Sequence, residues 1–177
     1  MMFFCEKYLM TSMKMDFCEN LRLDLREERY SVFEYVRKLQ REDVVLEPIE
    51  AMPDSKPFVV RNCPEWEPER QSRYIESLIV NLPVPPFCLL RPAAGHRWVV
   101  DGRQRSRALL AFFGGELVLC GLEVLPWLNG LTWQQLQAHE DYRPLVAWLE
   151  DRQLDFQVLG PSVPMPLVRD LLRRLHG

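Results

Sequence analysis

The residues best equipped for chemistry lie between Asp101 and Arg107. Asp101 is followed by Gly102, and then come Arg103, Gln104, Arg105 and Arg107. Trp98, Val99 and Val100 have strand propensity and run directly into Asp101. A helix is expected from about Arg103 to Phe113, with Gly114 and Gly115 stopping it. The free amides of a helix N-terminus attract anions. Gly102 permits a positive φ or close backbone approach, and arginine forks match phosphate oxygens. A carboxylate at the strand end, Asp101, can hold a metal ion or polarise water. This stretch predicts an anion site, with a nucleotide phosphate as the expected ligand.

On a helical wheel Ala108, Leu109, Phe112 and Phe113 fall on one side, and Arg103 and Arg107 fall opposite. Arg105 falls in the middle of the apolar side. A buried guanidinium without a partner is costly, so Arg105 must meet a carboxylate, backbone carbonyls or a ligand anion. Two readings stand level: a structural pair with Asp101 or Glu76, or a ligand contact.

The elements that must position these residues follow from periodicity. Leu21, Leu23 and Leu25 alternate as a short strand. Ser31 and Glu34 fit a capping box, with Tyr30 and Tyr35 as its staple, before the stripe Val32, Phe33, Val36 and Leu39. Strands are expected at Val44–Leu46 and Phe58–Val60, separated by a loop carrying Pro48, Pro53 and Pro57. Pro68 suits a first helical position, and Tyr74, Ile75, Leu78 and Ile79 make an apolar face bordered by Ser72 and Glu76. The proline run from Leu82 to Pro86 ends that helix. Strands are then expected at Phe87–Leu90 and Trp98–Val100, and two short ones at Glu116–Leu119 and Leu122–Leu125. Thr132 and Gln135 form a second capping box, and Pro144 opens a helix with Leu145, Val146, Trp148 and Leu149. Leu154, Phe156 and Val158 alternate as a strand, and Leu167, Val168, Leu171, Leu172 and Leu175 form a last helical stripe. Short strands mixed with helices predict an α+β fold.

With 177 residues, the chain suits one domain with an arm. The expected division is an arm over 1–24, a domain over 25–160, and a linker with the start of a helical part over 161–177. A net charge of −3 carries no general nucleic-acid signature, so DNA contact would need a local basic patch. Five scattered cysteines without a CxxC pair, and three histidines, argue against zinc and against a disulfide framework, and suit a reducing cytoplasm. His96, His139 and the cysteines read as surface or packing residues. Trp127, Trp133 and Trp148 read as core or interface. The apolar runs fall short of the ~20 residues of a membrane span. No basic region precedes the apolar N-terminal run, so no signal peptide is expected, and Met10, Met13 or Met15 would serve as a later start.

Val99 to Arg105 resembles the DGQQR motif of the N-terminal domain of GmrSD-type modification-dependent restriction systems. Trp66 followed by Gln71–Ile79 is similar to that family's W-x4-QSRxIESLL segment, and Asn81–Pro86 to its G-x-P-x-P-P continuation. Phe112–Glu116 resembles its F-F-x-G-E, and Phe58–Arg61 stands where it has F-Q-R. The resemblance covers roughly residues 25–177. It implies a ParB/sulfiredoxin-like fold that binds a nucleoside triphosphate, with hydrolysis gating a nuclease. In that scheme Asp101, Gln104 and Arg105 are catalytic, with Asp101 also holding Mg²⁺. Arg61, Gln71, Ser72, Arg73, Gly102, Arg103 and Arg107 bind the nucleotide. A nuclease subunit, a second copy of the chain or DNA are the implied partners, and no membrane.

Three departures qualify what the resemblance implies. Arg103 replaces the motif's first Gln, which favours binding over hydrolysis. Val60 replaces the Gln of F-Q-R, and Arg61 lies one residue further from Trp66 than the pattern has it. The chain stops inside a motif resembling F-x-R-L-N-x-G-G at Leu172–Gly177, with His176 at the Asn position, so a C-terminally truncated version is expected. There is no HNH-type His/Asn cluster, so DNA cleavage is not expected of this chain alone. A non-catalytic DNA-binding or specificity module using the same basic turn, and a degenerate scaffold or inhibitor, are the competing readings.

Overall fold

Ser31 is where the first strand becomes the first helix. Its Oγ accepts a hydrogen bond from the Glu34 amide at 3.1 Å, relieving one of the orphan donors of the first turn. In the computed structural model, which describes residues 23–47 and 64–176, strand β1 runs Leu25–Ser31 and helix α1 runs Val32–Gln40. Only half of the expected box forms, because the Glu34 carboxylate pairs with Lys38 at 3.3 Å instead. β1 also corrects the leucine alternation. The strand starts at Leu25, and Leu23 and Leu25 are exposed. The buried face of α1 is Val32, Tyr35, Val36 and Leu39. Phe33, expected in that stripe, is exposed beneath the Arg37 guanidinium. Tyr35 takes the core position, with its ring and that of Tyr30 both against Phe156.

The remaining elements are β2 (Val44–Val45), α2 (Pro68–Ile79), β3 (Phe87–Leu90), β4 (Arg97–Asp101), α3 (Arg103–Gly114), α4 (Trp133–Ala138), α5 (Arg143–Asp151), β5 (Gln153–Leu159) and α6 (Met165–His176). The strands form one mixed sheet in the order β1-β5-β3-β4-β2. β1 with β5 and β3 with β4 are antiparallel, whereas β3 with β5 and β2 with β4 are parallel. The fold is α+β, with five strands and six α-helices among the described residues. The expected strand at Phe58–Val60, the proline loop before it, Arg61 and nearly all of the arm lie outside the described residues.

Strand alternation sends side chains to opposite sheet faces. Phe87, Leu89, Val99, Leu154, Phe156 and Val158 belong to a large core with residues of α1, α2, α3, α4 and α5. Cys88, Leu90, Val100 and Leu159 form a smaller core with Val163, Val168 and Leu172. The tail helix α6 therefore covers the second face of the same sheet. α5 contributes one fully buried side chain, Leu149, and Trp148 is half exposed with its indole N–H donated to the Ile79 carbonyl at 2.9 Å.

The two short strands expected at 116–119 and 122–125 do not form. Leu117, Leu119 and Leu122 are buried, so the apolar pattern is real, but the backbone is satisfied without a ladder. Leu119 exchanges hydrogen bonds with Gly130 and Leu131 within the same loop. The Val124 and Leu125 amides both donate to Glu76 Oε1 at 2.8 Å. A buried carboxylate thus does the work of a neighbouring strand. Replacing Glu76 with Ala should cost about 1–3 kcal/mol, because two loop amides lose a buried charged acceptor. Hydrogen exchange checks this: the Val124 and Leu125 amides should lose protection before the sheet does.

Candidate functional site

Asp101 ends β4 and Arg103 opens α3, which leaves a single residue, Gly102, to turn the chain. Gly102 has φ of 102°, a left-handed conformation that L side chains rarely adopt. A Cβ there would also overlap the Phe87 ring. The Gly102 carbonyl is fully used, accepting from the Ser106 amide at 2.9 Å and from Ser106 Oγ at 3.0 Å. Ser106 Oγ is in turn 2.7 Å from the Tyr35 hydroxyl, so the first turn of α3 is fastened to α1. Gly102 is the N-cap residue and has no side chain to cap the helix start.

Arg105 is buried, 9% exposed, as the wheel requires. Among the described residues its partners are internal. Nη2 donates to Asp101 Oδ2 at 3.0 Å and to the Pro86 carbonyl at 3.2 Å, and Nη1 donates to the Pro85 carbonyl. The guanidinium also sits 4.3 Å from the centroid of the Phe87 ring. Of the two acids proposed for it, Asp101 is the partner, and Glu76 is committed to the 116–131 loop. Arg105 joins the end of β4 to the prolines that lead into β3.

Gln104 is likewise engaged. Its Oε1 accepts from the Trp66 amide at 3.2 Å, and its Nε2 donates to the Pro64 carbonyl at 3.1 Å. Gln71 Nε2 donates to the Trp66 carbonyl at 2.7 Å. The two stretches carrying the resemblance, Gln71–Glu76 and Asp101–Arg105, are thereby linked through the peptide groups of Trp66. Ser72 Oγ donates to the Pro68 carbonyl and accepts from the Cys120 amide at 3.1 Å. Arg73 pairs with Glu123 and lies 3.5 Å from Glu76. Gln71, Ser72 and Arg73 therefore serve Trp66 and the 116–131 loop. Arg107 pairs with Glu65 at 3.1 Å. Arg103 has no ion-pair partner among the described residues.

Backbone carbonyls are among the partners expected of Arg105, but their source in Pro85 and Pro86, the Phe87 face, Glu65 and the peptide groups of Trp66 are not legible from the helix pattern. The prolines were a legible signal, because an extended run of them cannot donate and leaves its carbonyls open. Cys88 stands opposite Asp101 in the β3–β4 register. Burial, reinforced by the Asp101 charge, pushes its thiol up to about 12, so it is not a thiolate nucleophile at neutral pH. Burial likewise raises the Tyr35 and Tyr74 phenols.

The fit of Mg²⁺ can be judged from the donors. Among the described residues no group of three or more His, Cys, Asp or Glu side chains is placed to hold a metal ion. Asp101 is a single carboxylate already paired with a guanidinium, which competes directly with a cation. These residues do not by themselves fit a magnesium site, and no step is routed through one. Among the described residues no helix is long and apolar enough to cross a membrane.

No family model, no curated protein and no solved structure matches this chain. The resemblance to the restriction-system domain rests on its motifs alone. The geometry makes Arg105 a structural pin, which stability measurements test. Arg105→Lys keeps the charge but loses the fork, and should lower unfolding free energy by about 2–3 kcal/mol in urea titration. Arg103→Lys should change it by less than about 0.5 kcal/mol. Equal effects from the two substitutions would contradict the assignment.

Proposed function

We propose that this chain binds the phosphates of a nucleotide at the first turn of α3. Its role is that of a regulatory domain of a DNA-restriction system with a ParB/sulfiredoxin-like fold. The observation that carries the reading is the start of α3 at Gly102. The helix begins there without a side-chain cap, and Arg103 beside it has no ion-pair partner among the described residues. The first four amides of a helix lack carbonyl partners and carry a positive partial charge. An anion placed there gains those amides together with the Arg103 and Arg107 guanidinium groups. The glycine allows the phosphate to approach the backbone closely.

The same geometry favours binding over hydrolysis. Asp101 is held by Arg105, and the Gln104 carboxamide is held by Pro64 and Trp66. Neither is placed to take a proton from water or to position it freely. This agrees with the replacement of the motif's first Gln by Arg103. Coupling to a nuclease subunit or a second copy of the chain would then depend on occupancy of the site.

Thermal unfolding with added nucleoside triphosphates tests the proposal. The midpoint should rise with nucleotide concentration, as expected for a ligand that binds only the folded state. Arg103→Ala and Arg107→Ala should each weaken the response about 3- to 10-fold, or about 0.7–1.4 kcal/mol. Phosphate release should stay at background. No shift with any nucleotide would contradict the reading. DNA affinity that falls steeply with salt, without a nucleotide response, would favour the DNA-binding alternative.

A further inference from the structure

Glu65 is placed against α3 by its neighbours. Gln104 accepts from the Trp66 amide and donates to the Pro64 carbonyl, so the peptide groups on both sides of Glu65 are tied to one side chain of the first turn. Between these points the Glu65 carboxylate lies 3.1 Å from the Arg107 guanidinium. Both groups face solvent, with Arg107 41% and Glu65 78% exposed. Arg107 is one turn after Arg103, on the same face of the helix. Helical side chains lean toward the N-terminus, which carries the Arg107 guanidinium toward the first turn.

We propose that Glu65 is an intramolecular competitor for the phosphate, occupying the Arg107 guanidinium until a polyphosphate displaces it. The inference rests on the phosphate reading of this turn and adds its regulation. A carboxylate is a weaker partner than a phosphate, since it brings one negative charge where a polyphosphate brings several. It is also presented without the entropic cost of a free ligand, because Gln104 fixes the chain on either side. Binding would therefore break the contact between Glu65 and Arg107 and change the setting of the Pro64–Trp66 segment. That segment leads directly into α2. Occupancy of the phosphate site would in this way be reported to an element whose polar side chains hold the 116–131 loop.

Isothermal titration of the full chain with inorganic tripolyphosphate at low ionic strength tests this. An exposed ion pair of this kind corresponds to a change of about two- to five-fold in a binding constant. Glu65→Gln should bind tripolyphosphate tighter than the unmodified protein by that factor. In an Arg107→Gln background, Glu65→Gln should bring no further gain, because the competition runs through Arg107. Equal affinity of the unmodified protein and Glu65→Gln would overturn the proposal and leave the phosphate site standing. An undiminished gain in the Arg107→Gln background would also overturn it, by showing a through-space charge effect. Absence of binding by both the unmodified protein and Glu65→Gln would overturn the phosphate reading and this inference with it.

Discussion

A single guanidinium, placed where the helix pattern calls for a leucine, constrains the turn between β4 and α3. Arg105 must be neutralised and hydrogen-bonded inside the protein, because an unpaired buried charge costs several kcal/mol. Asp101 supplies the charge, Pro85 and Pro86 supply carbonyls, and Phe87 supplies a ring face. Meeting that demand fixes the end of β4 relative to the start of β3. Between them Gly102 is held in a left-handed turn over Phe87, where a Cβ would overlap the ring. The residues with the most chemistry in their side chains thus serve the architecture, and among the described residues Arg103 is left without an ion-pair partner.

The same economy governs α2. Gln71, Ser72, Arg73 and Glu76 are all polar and all engaged, chiefly with segments that have no secondary structure of their own. A loop packed on a core must still satisfy its amides. Here side chains from a neighbouring helix do so, and the peptide groups of Trp66 accept one bond from α2 and donate one to α3. A residue pattern that looks like a ligand-binding segment can arise from this requirement alone. Arg73, directed to Glu123 at the loop, is the clearest case.

Much of the scaffold was legible because it depends on local rules. Pro68, the capping box at Thr132 and Gln135, and the alternation of Leu154, Phe156 and Val158 each mark an element that forms where expected. What was hidden depends on distant partners. The apolar alternation at 116–125 is compatible with strands, and partners distant in sequence, Ser72 and Glu76 among them, make a loop of it. Phe33 and Tyr35 compete for the core face of α1, and the ring cluster with Phe87 and Phe156 selects Tyr35. The demand of Arg105 for a partner could be read from the wheel, but its choice of Asp101 over Glu76 could not. That choice depends on which acid the loop amides have already claimed.

The proposed site divides labour within one turn: the Arg105 and Gln104 side chains hold the structure, and the proposed anion contacts are the Gly102 and Arg103 amides with the Arg103 and Arg107 guanidinium groups. Nitrogen-15 NMR of the intact protein, titrated with pyrophosphate, measures this residue by residue. The largest shifts should fall on the Gly102 and Arg103 amides and on the Arg103 and Arg107 side-chain nitrogens, with the Arg105 side chain unmoved. Shifts centred on the Arg105 guanidinium, or a spectrum that does not respond around Gly102 at any pyrophosphate concentration, would contradict it.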